Sequence, residues 1–229
     1  ENFYSSEYLV DKAIEYIGNR SQLPFFAYVA FQAVHIPVQA PAAFRDKYLQ
    51  SYTGGWHDLR TARSAGLART GVLPAVLEGR EMPTTSAWQS LSAEQQSFEA
   101  RGMAVYAGMV DAMDFHVGRL IERIEQIGEL DNTVFIFLSD NGGCAEEIHC
   151  TPEKPPGTVD SYRTVGAAWA NASNTPWRLF KDFDHEGGIS TPLIANWPTR
   201  IKKPELIHDV AHVIDFMPTF AEILSLIHI

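Results

Sequence analysis

TVFIFLSDNGG, residues 133–143, is the stretch that decides the predicted fold of this chain. Its first six residues are mostly β-branched or aromatic and predict a buried strand. Asp140 and Asn141 follow the strand directly, and in open α/β sheets ligands bind beyond the carboxyl ends of the strands. Their side-chain oxygens suit a divalent cation, and the two glycines that follow let the backbone turn sharply. An ordinary Asn-Gly turn explains the segment equally well, so a metal site and a simple turn both stay open at this point.

The composition of the chain excludes two classes of partner. Of 229 residues, 45% are hydrophobic and 20% are charged, which is enough for one sizeable core. The net charge of −10 argues against a nucleic-acid partner, which needs a basic face. It leaves an anionic small substrate open, because a few local cations can dominate one pocket. No apolar run reaches the roughly 18 residues of a membrane span, so we predict neither a nucleic-acid nor a membrane partner.

Helical and strand patterns alternate along the rest of the chain, which favours an α/β domain. Helices are predicted near 7–18, 42–49 and 93–127 and from 215 onward, and strands at 23–31, 133–138 and 191–197. Ser6 and Asp215 are candidate N-caps, and Ser92 with Gln95 resembles a capping box. Residues 52–91 read as a surface insertion with short helices, and residues 146–175 read as a long loop.

Three polar clusters in loops could carry chemistry. His35 follows a predicted strand and could donate a proton near neutral pH, although a structural loop histidine is the better explanation of His35 alone. Lys181 follows an apolar pair and could bind an anion as a point charge, whereas a solvated lysine is the default alternative. His185 and Glu186 precede two glycines that allow close backbone approach, but both could equally be exposed turn residues.

Taken together, these clusters resemble the sulfatase family. The motifs that carry the resemblance occur in the family's order and are FFAYVAFQAVHIPVQAP (25–41), VYAGMVDAMDFHVGRLIERIEQIGELDNTVFIFLSDNGG (105–143), ASNTPWRLFKDFDHEGGISTPLIANWP (172–198) and DFMPT (215–219). The resemblance implies an alkaline-phosphatase-like α/β fold with a mixed central sheet between helices. We expect residues 1–229 to form a partial catalytic domain that lacks the family's N-terminal part and its small C-terminal subdomain, with 52–91 as an insertion and 146–175 as a loop near the active site.

The resemblance also implies a chemistry, the arylsulfatase-like hydrolysis of sulfate esters. The cofactor it implies is Ca²⁺, with Mg²⁺ as the alternative, and Asp140 and Asn141 would be two of the metal ligands. His35 and Lys181 are the expected catalytic residues, and His35, Lys181 and His185 are the expected substrate-binding residues. The substrate would be a sulfated small molecule or sugar, and the expected location is periplasmic or secreted.

One departure from the family pattern concerns the nucleophile, which is a Cys in C-x-P-S-R that is converted to formylglycine. In the family it lies upstream of the His-x-Pro element, but no cysteine precedes His35 in this chain. Residues 150–154 read CTPEK, which nearly spells the motif but lies on the wrong side of the metal pair and ends in Lys, so we interpret it as chance. We therefore expect the nucleophile outside this chain. Cys144 and Cys150 could pair, bind metal or stay reduced.

Two other functions stay open from the sequence. The same superfamily includes phosphatases and phosphonate monoester hydrolases, which share the fold. A non-catalytic protein that binds sulfated glycans would keep His35 and Lys181 without a nucleophile. Specificity is expected in residues 52–91 and 146–175, where aromatic and histidine side chains could stack on a substrate ring, although core packing is the default for each of them. These candidates are Trp56, His57, Trp88, Tyr162 and Trp169.

Overall fold

The computed structural model describes residues 3–18, 24–77 and 85–225. The helices in these ranges are α1 (Ser5–Gly18), α2 (Ala42–Arg45), α3 (Gly55–Arg69), α4 (Ala93–Gln126), α5 (Gly166–Ser173), α6 (Glu186–Ile189) and α7 (Phe216–Ile223). The strands are β1 (Phe135–Leu138) and β2 (Leu193–Asn196). Within the described ranges, no helix is both long enough and apolar enough to cross a membrane.

Helix α4 is the longest element, and its N-terminus forms as the sequence predicts. The Ser92 hydroxyl accepts a hydrogen bond from the Gln95 amide at 3.2 Å, and the Gln95 side chain accepts one from the Ser92 amide at 2.8 Å. This capping box satisfies two backbone donors that the first helical turn leaves free. After the helix, Gly128 has a φ of +76°, a conformation that suits glycine. Helices α1 and α2 both pack against α4.

The main hydrophobic core lies between α4, α5 and the segment around Val38. Trp169 is fully buried, and the rings of Trp88 and Trp56 pack edge-on against it with centroids 5.8 and 5.5 Å away. Core packing, the default for these residues, is therefore confirmed for Trp88 and Trp169, and their rings are not available to stack on a substrate. His57 and Tyr162 are exposed.

The two predicted strands at 133–138 and 191–197 are confirmed, but they are not buried. Among the described residues they pair only with each other, antiparallel, from Phe135 opposite Asn196 to Leu138 opposite Leu193. The predicted strand at 23–31 is wrong for its described part, residues 24–31, which has no regular structure and leaves the Phe26 side chain 65% exposed. A strand buried on both faces needs paired neighbours and covering layers, and the described residues supply a sheet of two strands.

Three predictions of local structure need correction. The region 52–91 contains the 15-residue helix α3, which the sequence hides because it has only three large apolar side chains, Trp56, Leu59 and Leu67. The loop 146–175 contains α5. The predicted N-cap at Ser6 is wrong, since Ser6 lies inside α1. Asp215 does occupy the N-cap position of α7, but its side chain makes no capping bond to α7 and instead accepts from the His212 amide at 2.8 Å.

Candidate functional site

His35 and Lys181 are brought together by the fold although they lie 146 positions apart in the sequence. The Lys181 Nζ atom is 3.3 Å from His35 Nε2, and His35 Nδ1 is 3.3 Å from the Ile36 carbonyl oxygen. An ammonium group only donates, so Nε2 accepts from Lys181 while Nδ1 carries the proton and donates to Ile36. This tautomer is assigned from the hydrogen-bond partners. The contact places the imidazole of His35, a group that can transfer protons, beside the positive charge of Lys181.

The backbone around Lys181 is held tightly. Its amide donates to the Gly143 carbonyl at 3.1 Å, which ties it to the loop that follows β1. Leu179 and Asp182 on either side have φ values of 66° and 78°, a left-handed conformation that is uncommon for residues other than glycine. Leu179 itself is buried. Lys181 is therefore anchored at its backbone, and its side chain is 27% exposed, unlike a freely solvated surface lysine.

Asn174 connects the three loops of the site. Its Oδ1 atom accepts from the Gly143 amide at 3.0 Å, and its Nδ2 atom donates to the carbonyls of Leu179 at 2.9 Å and Gly187 at 2.8 Å. These partners lie beside Asn141, Lys181 and His185 in the sequence, so one amide side chain fixes the relative positions of all three predicted elements. The sequence analysis missed this role, because nothing in residues 174–176 (Asn-Thr-Pro) indicates which backbone groups the Asn174 amide would reach.

The glycines of the site are needed for close backbone contact, as predicted. The Gly142 amide donates to the Gly188 carbonyl at 2.9 Å. A Cβ atom at Gly142 would collide with the Gly187 carbonyl oxygen, and one at Gly187 would collide with the Leu179 carbonyl oxygen. The loops that carry Asp140 and Lys181 thus pack backbone to backbone, with no room for side chains between them.

His185 is the third predicted substrate-binding residue. It is exposed and occupies the position before α6, where its carbonyl accepts from the Gly188 amide at 2.7 Å. In the described part of the chain its side chain makes no hydrogen bond, so its predicted role in substrate binding stays a prediction.

Asp140 and Asn141 lie at the carboxyl end of β1, as expected for a ligand site. Asp140 is exposed and Asn141 is half-buried, and the Ser139 hydroxyl donates to the Asn141 carbonyl at 2.9 Å. A carboxylate and an amide oxygen fit a hard divalent cation, but calcium takes about six to eight oxygen ligands. Across residues 3–18, 24–77 and 85–225, no group of three or more His, Cys, Asp or Glu residues could hold a metal ion. Two oxygen donors are fewer than such a cation takes, so the role of Asp140 and Asn141 as metal ligands stays a prediction.

Glu146 is a second residue of the site that the sequence analysis did not single out. Its Oε1 atom is 3.9 Å from Lys181 Nζ. The segment that carries it is anchored by Thr164, whose hydroxyl donates to the Glu146 carbonyl and whose amide donates to the Ile148 carbonyl at 3.0 Å. No sequence pattern marks Glu146, because an acidic pair in a loop is usually solvated.

Arg163 supports this segment from the core side. It is buried, donates to the Thr164 carbonyl at 2.9 Å and lies over the Phe98 ring. Burial lowers its pKa, and the nearby Glu99 carboxylate opposes that shift. Its own carbonyl accepts from the Val38 amide at 2.9 Å, which connects the loop of Glu146 to the loop of His35. Cys144 and Cys150, on the same segment, are both free thiols.

Comparison with known proteins gives consistent matches over the whole chain. The family profile described as Sulfatase matches residues 1–226. An uncharacterized sulfatase of Schizosaccharomyces pombe is 39% identical over 100% of this chain and 44% of its own length. An arylsulfatase of Klebsiella aerogenes is 30% identical over 97% of this chain and 51% of its own length. The chain thus spans about half the length of these curated relatives.

The backbone is also similar to solved structures. A crystal structure of Ps i-CgsB in complex with k-i-k-neocarrahexaose superposes with a TM-score of 0.58 at 23% identity, covering 98% of this chain and 35% of that one. This likeness concerns the fold alone, and together with the family match over residues 1–226 it confirms the predicted alkaline-phosphatase-like α/β class.

Proposed function

This chain belongs to the sulfatase family, and from that premise we propose that the full-length protein hydrolyses sulfate esters in an arylsulfatase-like reaction. The observation that carries the proposal is the 3.3 Å contact between Lys181 Nζ and His35 Nε2. A formylglycine nucleophile and a divalent cation complete the proposed site, and the nucleophile would be supplied by residues outside this chain. The substrate we propose is a sulfated small molecule or sugar, and the proposed location is periplasmic or secreted.

Lys181 would bind the sulfuryl group of the substrate. Its backbone amide is tied to the Gly143 carbonyl, and its ammonium lies 3.3 Å from His35 Nε2, so the cation is already beside the general acid when an anion arrives. A fixed positive charge beside the sulfuryl oxygens stabilises the negative charge that they carry in the transition state.

His35 would act as the general acid. Its Nδ1 atom faces the Ile36 carbonyl, which leaves Nε2 as the atom that faces Lys181 and the reacting group. General-acid action requires the doubly protonated ring, whose Nε2 proton passes to the departing alkoxide or phenoxide oxygen as the S–O bond breaks and leaves the neutral ring with its proton on Nδ1. The need for that proton grows with the basicity of the leaving group.

Asp140 and Asn141 would hold the cation, Ca²⁺ or alternatively Mg²⁺. When bound, the cation supplies positive charge that offsets the charge of the sulfate group. The exposed Asp140 carboxylate and the Asn141 amide oxygen are the donors that this chain contributes.

The proposal is tested by steady-state hydrolysis of p-nitrophenyl sulfate and of an alkyl sulfate by the full-length protein with calcium. Lys181→Met should lower kcat/KM for both esters by roughly 10²-fold or more, whereas Lys154→Met, at a half-buried lysine paired with Asp160, should leave it unchanged. His35→Gln should lose about 10²-fold more on the alkyl ester, whose leaving group needs the proton. Asp140→Ala should abolish turnover.

The outcomes separate this function from the two alternatives. Full turnover by the Asp140→Ala protein would refute the sulfatase assignment. A wild-type preference for p-nitrophenyl phosphate would instead indicate phosphoryl chemistry. Tight binding of sulfated glycans that is independent of calcium and without hydrolysis would indicate a binding protein.

A further inference from the structure

We propose that Glu146 is a specificity-determining residue that makes the Lys181 site favour monoanionic sulfate esters over dianionic phosphate esters. The inference rests on the proposed function, since it concerns the anion that Lys181 would bind. It starts from an unexpected feature of the structure, a carboxylate placed beside the cation of a candidate anion site. The Glu146 Oε1 atom is 3.9 Å from Lys181 Nζ, and the two side chains are 38% and 27% exposed.

Glu146 is not needed to hold Lys181 in place. The Lys181 amide is fixed by the Gly143 carbonyl, the neighbouring Leu179 carbonyl is fixed by Asn174, and the ammonium also contacts His35. An ion pair at 3.9 Å between partly exposed groups adds little to stability. The contribution of the carboxylate is therefore its charge.

That charge acts differently on the two classes of ester. Lys181 and Glu146 carry opposite charges, so the carboxylate offsets the attraction that the ammonium alone would exert on an anion. A sulfate monoester carries one negative charge, whereas a phosphate monoester carries two above its second pKa of about 6. Each negative charge on the ligand is repelled by the carboxylate, so the dianion is penalised twice. In a partly solvated site this repulsion corresponds to about a tenfold difference in affinity.

The position of Glu146 makes this repulsion a fixed property of the site. Thr164 holds the Glu146 backbone by its hydroxyl and holds the neighbouring Ile148 carbonyl by its amide. Thr164 is itself buried, next to the buried Arg163. The carboxylate therefore projects from an anchored segment toward Lys181, and only its own side-chain torsions remain free.

The test uses the full-length protein and phenyl phosphate as a competitive inhibitor of p-nitrophenyl sulfate hydrolysis between pH 5 and 8. In the wild type the Ki of phenyl phosphate should rise with pH as the dianion forms. In Glu146→Gln the Ki at pH 7.5 should fall about tenfold and its pH dependence should flatten, while KM for the sulfate ester changes about threefold or less. Glu146→Asp should restore most of the discrimination. Glu153→Gln, at an exposed glutamate in the same loop, controls for the change in net charge.

Two results would overturn the inference. One is a ratio of phosphate Ki to sulfate KM within twofold of the wild type in Glu146→Gln. The other is a large loss of sulfate turnover in that variant that Glu146→Asp repairs without any change in the pH profile for phosphate, which would make Glu146 a structural support of Lys181. A wild-type protein without sulfate hydrolysis would refute the proposed function itself, so the two failures are distinguishable.

Discussion

Replacing Asn174 by Ala should loosen the whole candidate site, because this one side chain makes three hydrogen bonds to three loops. Each such bond contributes about 1 kcal/mol net, so their combined loss should lower the free energy of unfolding by about 3 kcal/mol. The polar groups left without a partner are the Gly143 amide and the carbonyls of Leu179 and Gly187. Because the region is half-buried, water can reach some of them, which keeps the cost below that of a sealed core.

Asn174→Asp separates the hydrogen-bond argument from a simple packing argument. The carboxylate has nearly the same shape and can still accept from the Gly143 amide, but it cannot donate to the Leu179 and Gly187 carbonyls. It would instead place negative charge against two carbonyl oxygens. We therefore expect Asn174→Asp to be at least as damaging as Asn174→Ala, whereas a packing argument predicts a mild effect.

The assay combines urea unfolding with kinetics on the full-length protein. The urea midpoint reports stability, and kcat/KM on p-nitrophenyl sulfate should fall by about 10²-fold, because a shift of about 1 Å in a catalytic group costs that much. Asn132→Ala, at an exposed asparagine before β1, is the matched control and should change neither quantity. An Asn174→Asp protein within about 0.5 kcal/mol of the wild type and fully active would refute the reasoning.

Three further predictions concern stability. Burial lowers the pKa of His116 below its ordinary 6.5, with Arg119 adding to the shift. The stability that the neutral histidine contributes is therefore full above pH 6.5 and is lost as the pH falls toward the folded-state pKa. The urea midpoint should be lower at pH 5.5 than at pH 7.5 in the wild type, and this difference should be smaller in His116→Gln. Ser92→Ala should cost about 1 kcal/mol of unfolding free energy in urea, whereas Ser97→Ala inside the same helix should be neutral within about 0.5 kcal/mol. The chain expressed alone should aggregate in size-exclusion chromatography with light scattering, because apolar side chains on the two-stranded sheet and in residues 201–217 are exposed; a monodisperse monomer that melts cooperatively would contradict this.

Features with local causes could be predicted from the sequence. The capping box at Ser92 and the glycine after α4 form as expected because each depends on groups within a few residues. The strands near 133–138 and 191–197 also form, since β-branched and apolar runs favour extended backbone. Short helices were expected in residues 52–91, but the 15-residue length of α3 could not be predicted, because it carries few large apolar residues to mark its period.

The motifs also indicated the family and the candidate site residues, but they did not indicate how those residues are arranged in space. His35, Asp140, Asn141 and Lys181 were each individually explicable as ordinary loop residues. Their combined order along the chain carried the resemblance, and the match over residues 1–226 bears it out. The sequence by itself therefore determined the family and the fold class. It also determined those helix ends that a capping box or a terminal glycine marks.

Only the tertiary structure decided which side chains meet. The contact of Lys181 with His35 joins residues 146 positions apart, and the approach of Glu146 to Lys181 and the three bonds of Asn174 depend on how loops pack. Burial was also decided at this level, since the apolar run at 24–31 is exposed where the described residues give it no paired strand. Local patterns encode backbone preference, whereas contacts and burial depend on the positions of distant segments, and no periodicity in the sequence records those positions.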